Sequence, residues 1–283
     1  MYLFAKLWGM FKTYFLVALR VLQRNKAFSF LNILGLAVGV AASLLIFLVI
    51  RHEKSYDDYH SKKDRIYRVV TTMVNRSNGE IASQRGTVPL GLDEVLRTDV
   101  PGLERTAVAF KANEGSQVYI RDAGAAEERK FLQRDCYFVQ PELFDIFDFT
   151  WLDGNAADLK HPGTVVLAEN VANRFFGDWR KAMGKTIQLW SWRFPLRVCG
   201  VFKDLPANTD LSLQMGPSAV TFKDRNPEIY TSASKWHFSV AGSDVFVLLR
   251  PGASAVAGVE KSLDGIVKKY YGEDRAEYLT RTR

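Results

Sequence analysis

Cysteine and histidine are scarce in this chain, two and four residues among 283. No Cys-x-x-Cys occurs, which removes zinc ribbons and thioredoxin-like redox sites, whose chemistry needs two closely spaced thiols. Cys136 and Cys199 lie in apolar, strand-like stretches, RDCYFV and LRVCGVF, and are expected to be buried free thiols rather than a bridge. His52-Glu53 begins like a zinc helix, but the second ligand would stand at position 56, which is Tyr56. Asp57, Asp58 and His60 just beyond it read as a polar surface, and His161 and His237 have no acid or base beside them. G-x-S-x-G is missing, and no Ser, His and acid spacing marks a hydrolase. The chain reads as a non-enzyme with no catalytic, cofactor or metal residues.

A complete phosphate-binding loop is missing as well. Gly184-Lys185-Thr186 has the ending of one, yet the glycine required five residues earlier is Trp179, and Gly177 falls two positions too early. The stretch also follows the helix-like ENVANRFFG, whereas such a loop follows a strand and opens a helix. Acidic residues are absent from the first 27 positions, which hold Lys6, Lys12, Arg20, Arg24 and Lys26. These five supply most of the net charge of +7, so the remainder is nearly neutral. A nucleic-acid binder carries its basic surface on the folded domain. This distribution excludes that class and points to a basic flank beside a lipid bilayer.

What the sequence does have is one long apolar run. FSFLNILGLAVGVAASLLIFLVI, residues 28–50, carries no charge and holds fifteen Leu, Ile, Val or Phe. At about 1.5 Å per residue its 23 positions cross the ~30 Å hydrocarbon core. A cleavable signal would have a shorter core and a small-residue site after it, not RHEKSYDD, so the run reads as an uncleaved anchor. Its flanks hold four Lys or Arg in 12–27 and five in 51–66, which does not orient it. The large domain that follows can translocate whatever its charge, and the N-terminus is expected in the cytoplasm.

Ahead of the run, Phe4, Leu7, Trp8, Phe11, Phe15, Ala18, Leu19 and Leu22 recur with a helical period. A basic amphipathic helix over 1–27 is expected in the headgroup plane, with Trp8, Arg20, Arg24 and Lys26 at the interface. Within the run, Gly35, Gly39 and Ser43 share one face. They offer a packing surface for another membrane helix or reflect only the abundance of glycine in such helices.

Residues 51–64 read as helix exit and linker, and 65–283 as an α+β domain. RIYRVVTTMV, PLGLDEVLRTD and RTAVAFK suggest strand, helix and strand in a βαβ unit. SQVYIRD and RKFLQRDCYFV are strands around a turn at 123–126, and PELFDIF is a short helix. GTVVLA is a strand, ENVANRFF a helix, and KTIQLW with PLRVCGVF a hairpin. DVFVLLR is a buried strand, and the helix over 254–271 places Val256, Val259, Leu263, Ile266, Val267 and Tyr270 on one face. Segments 75–86 and 223–235 read as loops. A strand is expected after the last helix to close a second βαβ unit, but the chain ends at AEYLTRTR, which reads as a truncated product or excised fragment.

Four stretches together resemble MacB-type ABC transporter permeases with their MacB-like periplasmic core domain. They are LRVLQRNKAFSFLNILGLAVGVAASLLIFLVIRHEKSYDDYHSKKDRIYRV, LFDIFDFTWLDGNAADL, TVVLAENVANRFFGDWRKAMGKTIQL and CGVFKDLPANTDL. The resemblance implies a first helix leading out of the bacterial inner membrane to a periplasmic domain of two α/β lobes, the inner one inserted over 111–211. It implies a permease homodimer or heterodimer, an ABC ATPase subunit and a periplasmic adaptor or cargo protein as partners. ATP-driven motion would be transmitted outward for export of peptides, antibiotics, lipoproteins or similar cargo. It implies no catalytic residues. Gly177, Gly184 and Gly200 match its pattern in structural roles, and Lys185, Asp204 and Pro206 stand in the same stretches. On this reading Gly184 permits a turn and Thr186 opens a β-branched strand. Family members add three membrane helices and an ATPase-engaging loop after the domain; this sequence holds neither, which puts autonomous transport in doubt. The alternative is a single-pass, membrane-anchored extracytoplasmic binding or sensor domain, and an anchored hydrolase is weaker still.

Overall fold

The computed structural model describes residues 2–74, 78, 80–112, 115–121, 127–189, 193–231, 236, 243–252, 255–271 and 278–279. For 2–9, 11, 19, 22, 73, 74, 82, 255, 271, 278 and 279 the description covers the backbone alone. The chain divides into two units, Met1–Tyr56 and Asp57–Arg283.

The first unit is two helices, α1 (Tyr2–Arg24) and α2 (Lys26–Glu53), separated at Asn25. Helix α2 has a mean hydropathy of 2.9 over its most apolar window, and none of its residues is buried against protein. A soluble core helix of this composition would be covered; α2 is long and apolar enough to cross a membrane. It continues three residues past the apolar run, through Arg51, His52 and Glu53. Gly35 and Gly39 have nothing within 4 Å of where a Cβ would stand, and the Ser43 hydroxyl donates to the Gly39 carbonyl one turn back. On α1, Phe15, Ala18, Arg20 and Arg24 are exposed, as is Lys26 on α2. The Trp8 side chain lies outside the described residues.

The second unit mixes helix and sheet. A four-stranded antiparallel sheet has the order β1 (Ile66–Val69), β13 (Ser243–Leu249), β4 (Leu103–Lys111), β7 (Tyr137–Val139). A seven-stranded sheet has the order β12 (Met215–Pro217), β9 (Thr164–Ala168), β11 (Phe194–Phe202), β10 (Thr186–Leu189), β5 (Ser116–Ile120), β6 (Arg129–Gln133), with β8 (Trp151–Gly154) also on β11. Single bridges from Cys136 to Met215 and from Val139 to Ser218 join the two sheets at β7 and β12. A third sheet pairs β2 (Thr71–Val74) with β3 (Ile81–Arg85) and with β14 (Tyr278–Leu279). The helices are α3 (Leu92–Asp99), α4 (Leu143–Ile146), α5 (Glu169–Phe176), α6 (Ala219–Arg225) and α7 (Ala255–Tyr271).

Several elements follow from local pattern. TVVLA is buried at every residue, its side chains covered on both faces of the sheet, and it lies between β11 and β12. The hairpin of β10 and β11 forms with Thr186 opposite Arg197. Helix α7 buries Val259, Leu263 and Ile266, while Val256 and Tyr270 pack at the margin of that face. The core is aromatic in two places. Phe110, Phe138 and Phe222 lie within 5.2 Å of one another by ring centres. Phe144, Phe149, Trp151 and Phe202 gather where β8 meets β11.

Other expectations are corrected. RIYRVVTTMV is two strands in different sheets, because an unbroken β-branched run carries no mark of where the chain changes partners. β1 and β4 run parallel on either side of β13 rather than as neighbours, so the expected βαβ unit is split by a strand from far along the chain. RKFLQRDCYFV breaks at Asp135, whose φ of +51° turns the chain from one sheet into the other. Residues 81–85, read as loop, form β3; a strand open to water on one side needs few apolar residues. A strand does follow the last helix, but β14 joins β2 instead of closing a second βαβ unit. The turn at 123–126, Trp190 and His237 lie outside the described residues.

Both cysteines are buried and free. Burial pushes the Cys136 thiol up to about 12 and the Cys199 thiol up to about 11, so neither supplies thiolate at neutral pH. Native protein at pH 7.5 should take up no maleimide, and two equivalents should react after unfolding in guanidinium. Rapid labelling before unfolding would show that one thiol is accessible.

Candidate functional site

Three of the stretches singled out in the sequence meet at one place in the second unit. The segment 57–62, hereafter the strap, starts four residues beyond the end of α2 and lies against residues 145–148 and against the loop 203–210. Asp57 takes φ of +54°, a left-handed conformation that a short polar side chain tolerates better than most. Its N–H donates to the Asn208 carbonyl at 3.0 Å, and its carboxylate accepts from the Thr209 hydroxyl at 2.5 Å and the Asp210 N–H at 3.2 Å. The Tyr59 hydroxyl also reaches Thr209, at 3.3 Å.

His60 is the centre of the other half. It is only 4% exposed, with its ring 4.0 Å from that of Tyr59 and 5.0 Å from that of Phe147. Its Nδ1 accepts the Asp148 N–H at 3.2 Å. The next residue reciprocates, the Ser61 N–H donating to the Asp148 carboxylate, and Lys62 Nζ donates to the Asp145 carbonyl at 2.6 Å. Burial lowers the His60 pKa, against the opposing pull of Asp57 and Asp148. Burial pushes Asp148 up, but the bonds from Ser61 and the charges of Lys62 and His60 outweigh it and hold the carboxyl below its ordinary range. Phe147 in turn packs edge-on against Phe246 of β13, 5.0 Å between centres, which ties this half to the middle of the four-stranded sheet. Asp58 pairs with Lys63 at 2.5 Å.

The loop 203–210 is itself anchored. Lys203 N–H donates to the Thr150 carbonyl, and Asp204 accepts the Asn170 N–H at 2.9 Å, capping the start of α5 from another part of the chain. Losing a cap of this kind costs about 1 kcal/mol. Asp204→Ala should therefore lower the thermal unfolding midpoint of the detergent-purified chain by a few degrees, with Asp204→Asn between the two. Pro206 is exposed in the same loop.

The remaining sequence candidates stand apart from the strap. Gly177 follows α5 and its N–H closes onto the Asn173 carbonyl. Gly184, with φ of +72°, donates its N–H to the Val198 carbonyl, and Lys185 points no phosphate cradle anywhere: it is exposed and leads straight into β10. Gly200 is a close approach, since a Cβ there would stand 2.6 Å from the Trp151 ring and 3.0 Å from the Asn155 carbonyl. One buried network has no sign in the sequence. Asp93 accepts from Thr106, Arg97 and Gln140, fastening α3 to β4; in sequence, Asp93 and Arg97 look like an ordinary surface pair one helical turn apart.

Among the described residues no group of three or more His, Cys, Asp or Glu is placed to hold a metal ion. Hydrogen bonds and ring contacts fix the strap to two separate parts of the unit.

The fold is shared with a solved structure. A domain from a Porphyromonas gingivalis protein provisionally named a permease superimposes with a TM-score of 0.59 at 16% identity, covering 79% of this chain and 90% of that one. The periplasmic region of MacB from Actinobacillus actinomycetemcomitans aligns with a TM-score of 0.49 at 18% identity, over 75% of this chain and 87% of that one. No curated protein matches the sequence. The profile of one family, described as the MacB-like periplasmic core domain, matches residues 29–264. The apolar helix, the mixed domain behind it and that match lead to one conclusion: the chain belongs to the MacB-like periplasmic core domain family of ABC transporter permeases.

Proposed function

We propose that the chain is the anchor and periplasmic portion of a permease subunit in the bacterial inner membrane, with its N-terminus in the cytoplasm and residues beyond the strap in the periplasm. An ABC ATPase drives closure of a permease homodimer or heterodimer, and α2 carries that motion outward to act on a peptide, antibiotic, lipoprotein or similar cargo, or on an adaptor. The strap is the observation that supports this best. Only Lys54, Ser55 and Tyr56 separate the helix from Asp57, so little slack precedes the joint. Past the joint the chain enters β1 at the edge of the four-stranded sheet, where Arg65 binds Glu104 at 2.7 Å and the Leu249 carbonyl at 2.8 Å. On this reading a displacement of the helix end reaches the strap through those three residues, and from there the four- and seven-stranded sheets. In the same reading, residues 111–211 form an inner lobe, and Gly35, Gly39 and Ser43 pack against another membrane helix.

Two measurements test the reading. In intact spheroplasts an impermeant maleimide should label a cysteine placed at exposed Lys203 and not one placed at exposed Lys12. Labelling of the Lys12 position alone would reverse the orientation and end the proposal. With the ATPase subunit co-expressed, hydrogen exchange over residues 57–63 should differ between nucleotide-free and ATP-bound complexes. Identical exchange would leave the strap without a coupling role and favour a single-pass binding or sensor domain.

A further inference from the structure

We propose that His60 is a proton-operated latch on the strap: adding a proton at Nδ1 deletes the only acceptor it offers to the Asp148 N–H and loosens the strap where it meets residues 145–148. The geometry carries the argument. An imidazole that accepts at Nδ1 bears its single proton on Nε2. The Asp148 N–H sits 3.2 Å from Nδ1, so a second proton on the ring would face a donor. Nε2 does not provide a ready replacement, since Asp57 is 4.0 Å away and its carboxylate is already engaged by Thr209 and Asp210. The ring is enclosed by Tyr59 and Phe147, and a buried imidazolium is costly unless it is paired.

The groups that face His60 come from every element around it. The strap contributes Asp57 and Tyr59, the 145–148 segment Asp148, and the loop beyond β11 Asp210. Lys63, Tyr137, Arg68 of β1 and Asp244 of β13 line the rest of a cleft of about 330 Å³ beside it. Asp57 and Asp148 favour the charged ring, but desolvation is the larger effect and the latched form prefers the neutral one. Asp244 responds the other way. Burial raises it to about 6 despite Arg68 at 2.6 Å, so its protonation as pH falls stabilises the folded sheet.

The sign for His60 follows. A released strap has an ordinary histidine, near 6.5, and the latched one lies lower. The latched state binds fewer protons, so it is fully favoured above pH 6.5 and loses ground as pH falls through the window below that value. One proton per opening changes the equilibrium by up to about tenfold per pH unit inside the window.

Regulation of transport by this latch rests on the permease reading; the latch itself does not, and its test needs no ATPase. The full chain in detergent is followed by hydrogen exchange from pH 8 to pH 5, with each peptide expressed as a protection factor to remove the intrinsic pH dependence. Protection over 57–63 and 145–149 should fall several-fold below pH 6.5, while the β9 and β11 peptides stay unchanged. His60→Gln, whose amide oxygen can accept the same N–H without titrating, should hold protection constant. His60→Phe should show the open level at all pH values. Flat protection in the wild-type chain would overturn the latch. So would an unchanged pH response in His60→Gln, which would assign the effect to Asp244 or another carboxylate.

Discussion

Phe202→Ala should destabilise the chain by about 3–5 kcal/mol, the range for truncating a buried phenylalanine. Phe202 is fully buried at the end of β11, opposite Trp151 of β8 and Ala168 of β9. Its ring lies 5.2 Å from Phe149 and 6.1 Å from Trp151, so the deleted ring leaves a cavity that three strands hold open. In a unit of this size such a loss lowers the unfolding midpoint by about 6–20 °C, measurable by near-ultraviolet circular dichroism in detergent. The damage should also spread in one direction. Lys203 follows directly and begins the loop that holds Asp57, so proteolysis in 203–210 should appear before cleavage in β4 or β13. Phe202→Leu keeps most of the volume and should cost less than half as much. Equal stability of Phe202→Ala and wild type would mean that β8 and β11 do not meet as described.

Legibility in the sequence follows the range of the interactions. The β10–β11 hairpin pairs residues at most 11 apart, and α5 buries Val171, Ala172 and Phe175 at helical spacing, so both are plain locally; β9 is plain from its unbroken apolar run, although its partners β11 and β12 lie farther along the chain. α7 is equally plain, because three buried residues at helical spacing announce a covered face. The placement of β13 between β1 and β4 has no local sign. Its register pairs Leu248 with Ile66 on one side and with Arg105 on the other, far apart along the chain. The strap was hidden for a related reason. SYDDYHSKKD is polar throughout and looks like a solvated exit, yet His60 is buried because Asp148 and Phe147 arrive from almost ninety residues away. A polar residue reveals its burial only through its partners. The resemblance of four stretches to one family covered the segments that meet at the strap without showing that they touch.

Asp57→Ala should release the strap while leaving the domain folded. The carboxylate receives a hydroxyl and a backbone N–H, and hydrogen bonds to a charged group are worth about 1.5–3 kcal/mol. Alanine also tolerates the left-handed conformation at position 57 less well than aspartate. Offset by the water that Thr209 and Asp210 regain, the net loss of about 1.4–2.8 kcal/mol should speed hydrogen exchange over residues 57–61 by roughly 10- to 100-fold. The midpoint of global unfolding should move only a few degrees, because Thr209 and Asp210 regain water when the carboxylate leaves. Asp57→Asn keeps an acceptor and a side chain suited to that backbone, and should lie closer to wild type. Under the permease reading, the Asp57→Ala complex should continue to hydrolyse ATP while export falls, since the motor still turns but its linkage slips. A variant with faster exchange at the strap and undiminished export would separate the joint from the transport cycle. A variant with unchanged exchange would show instead that His60 and Lys62 hold the strap without Asp57.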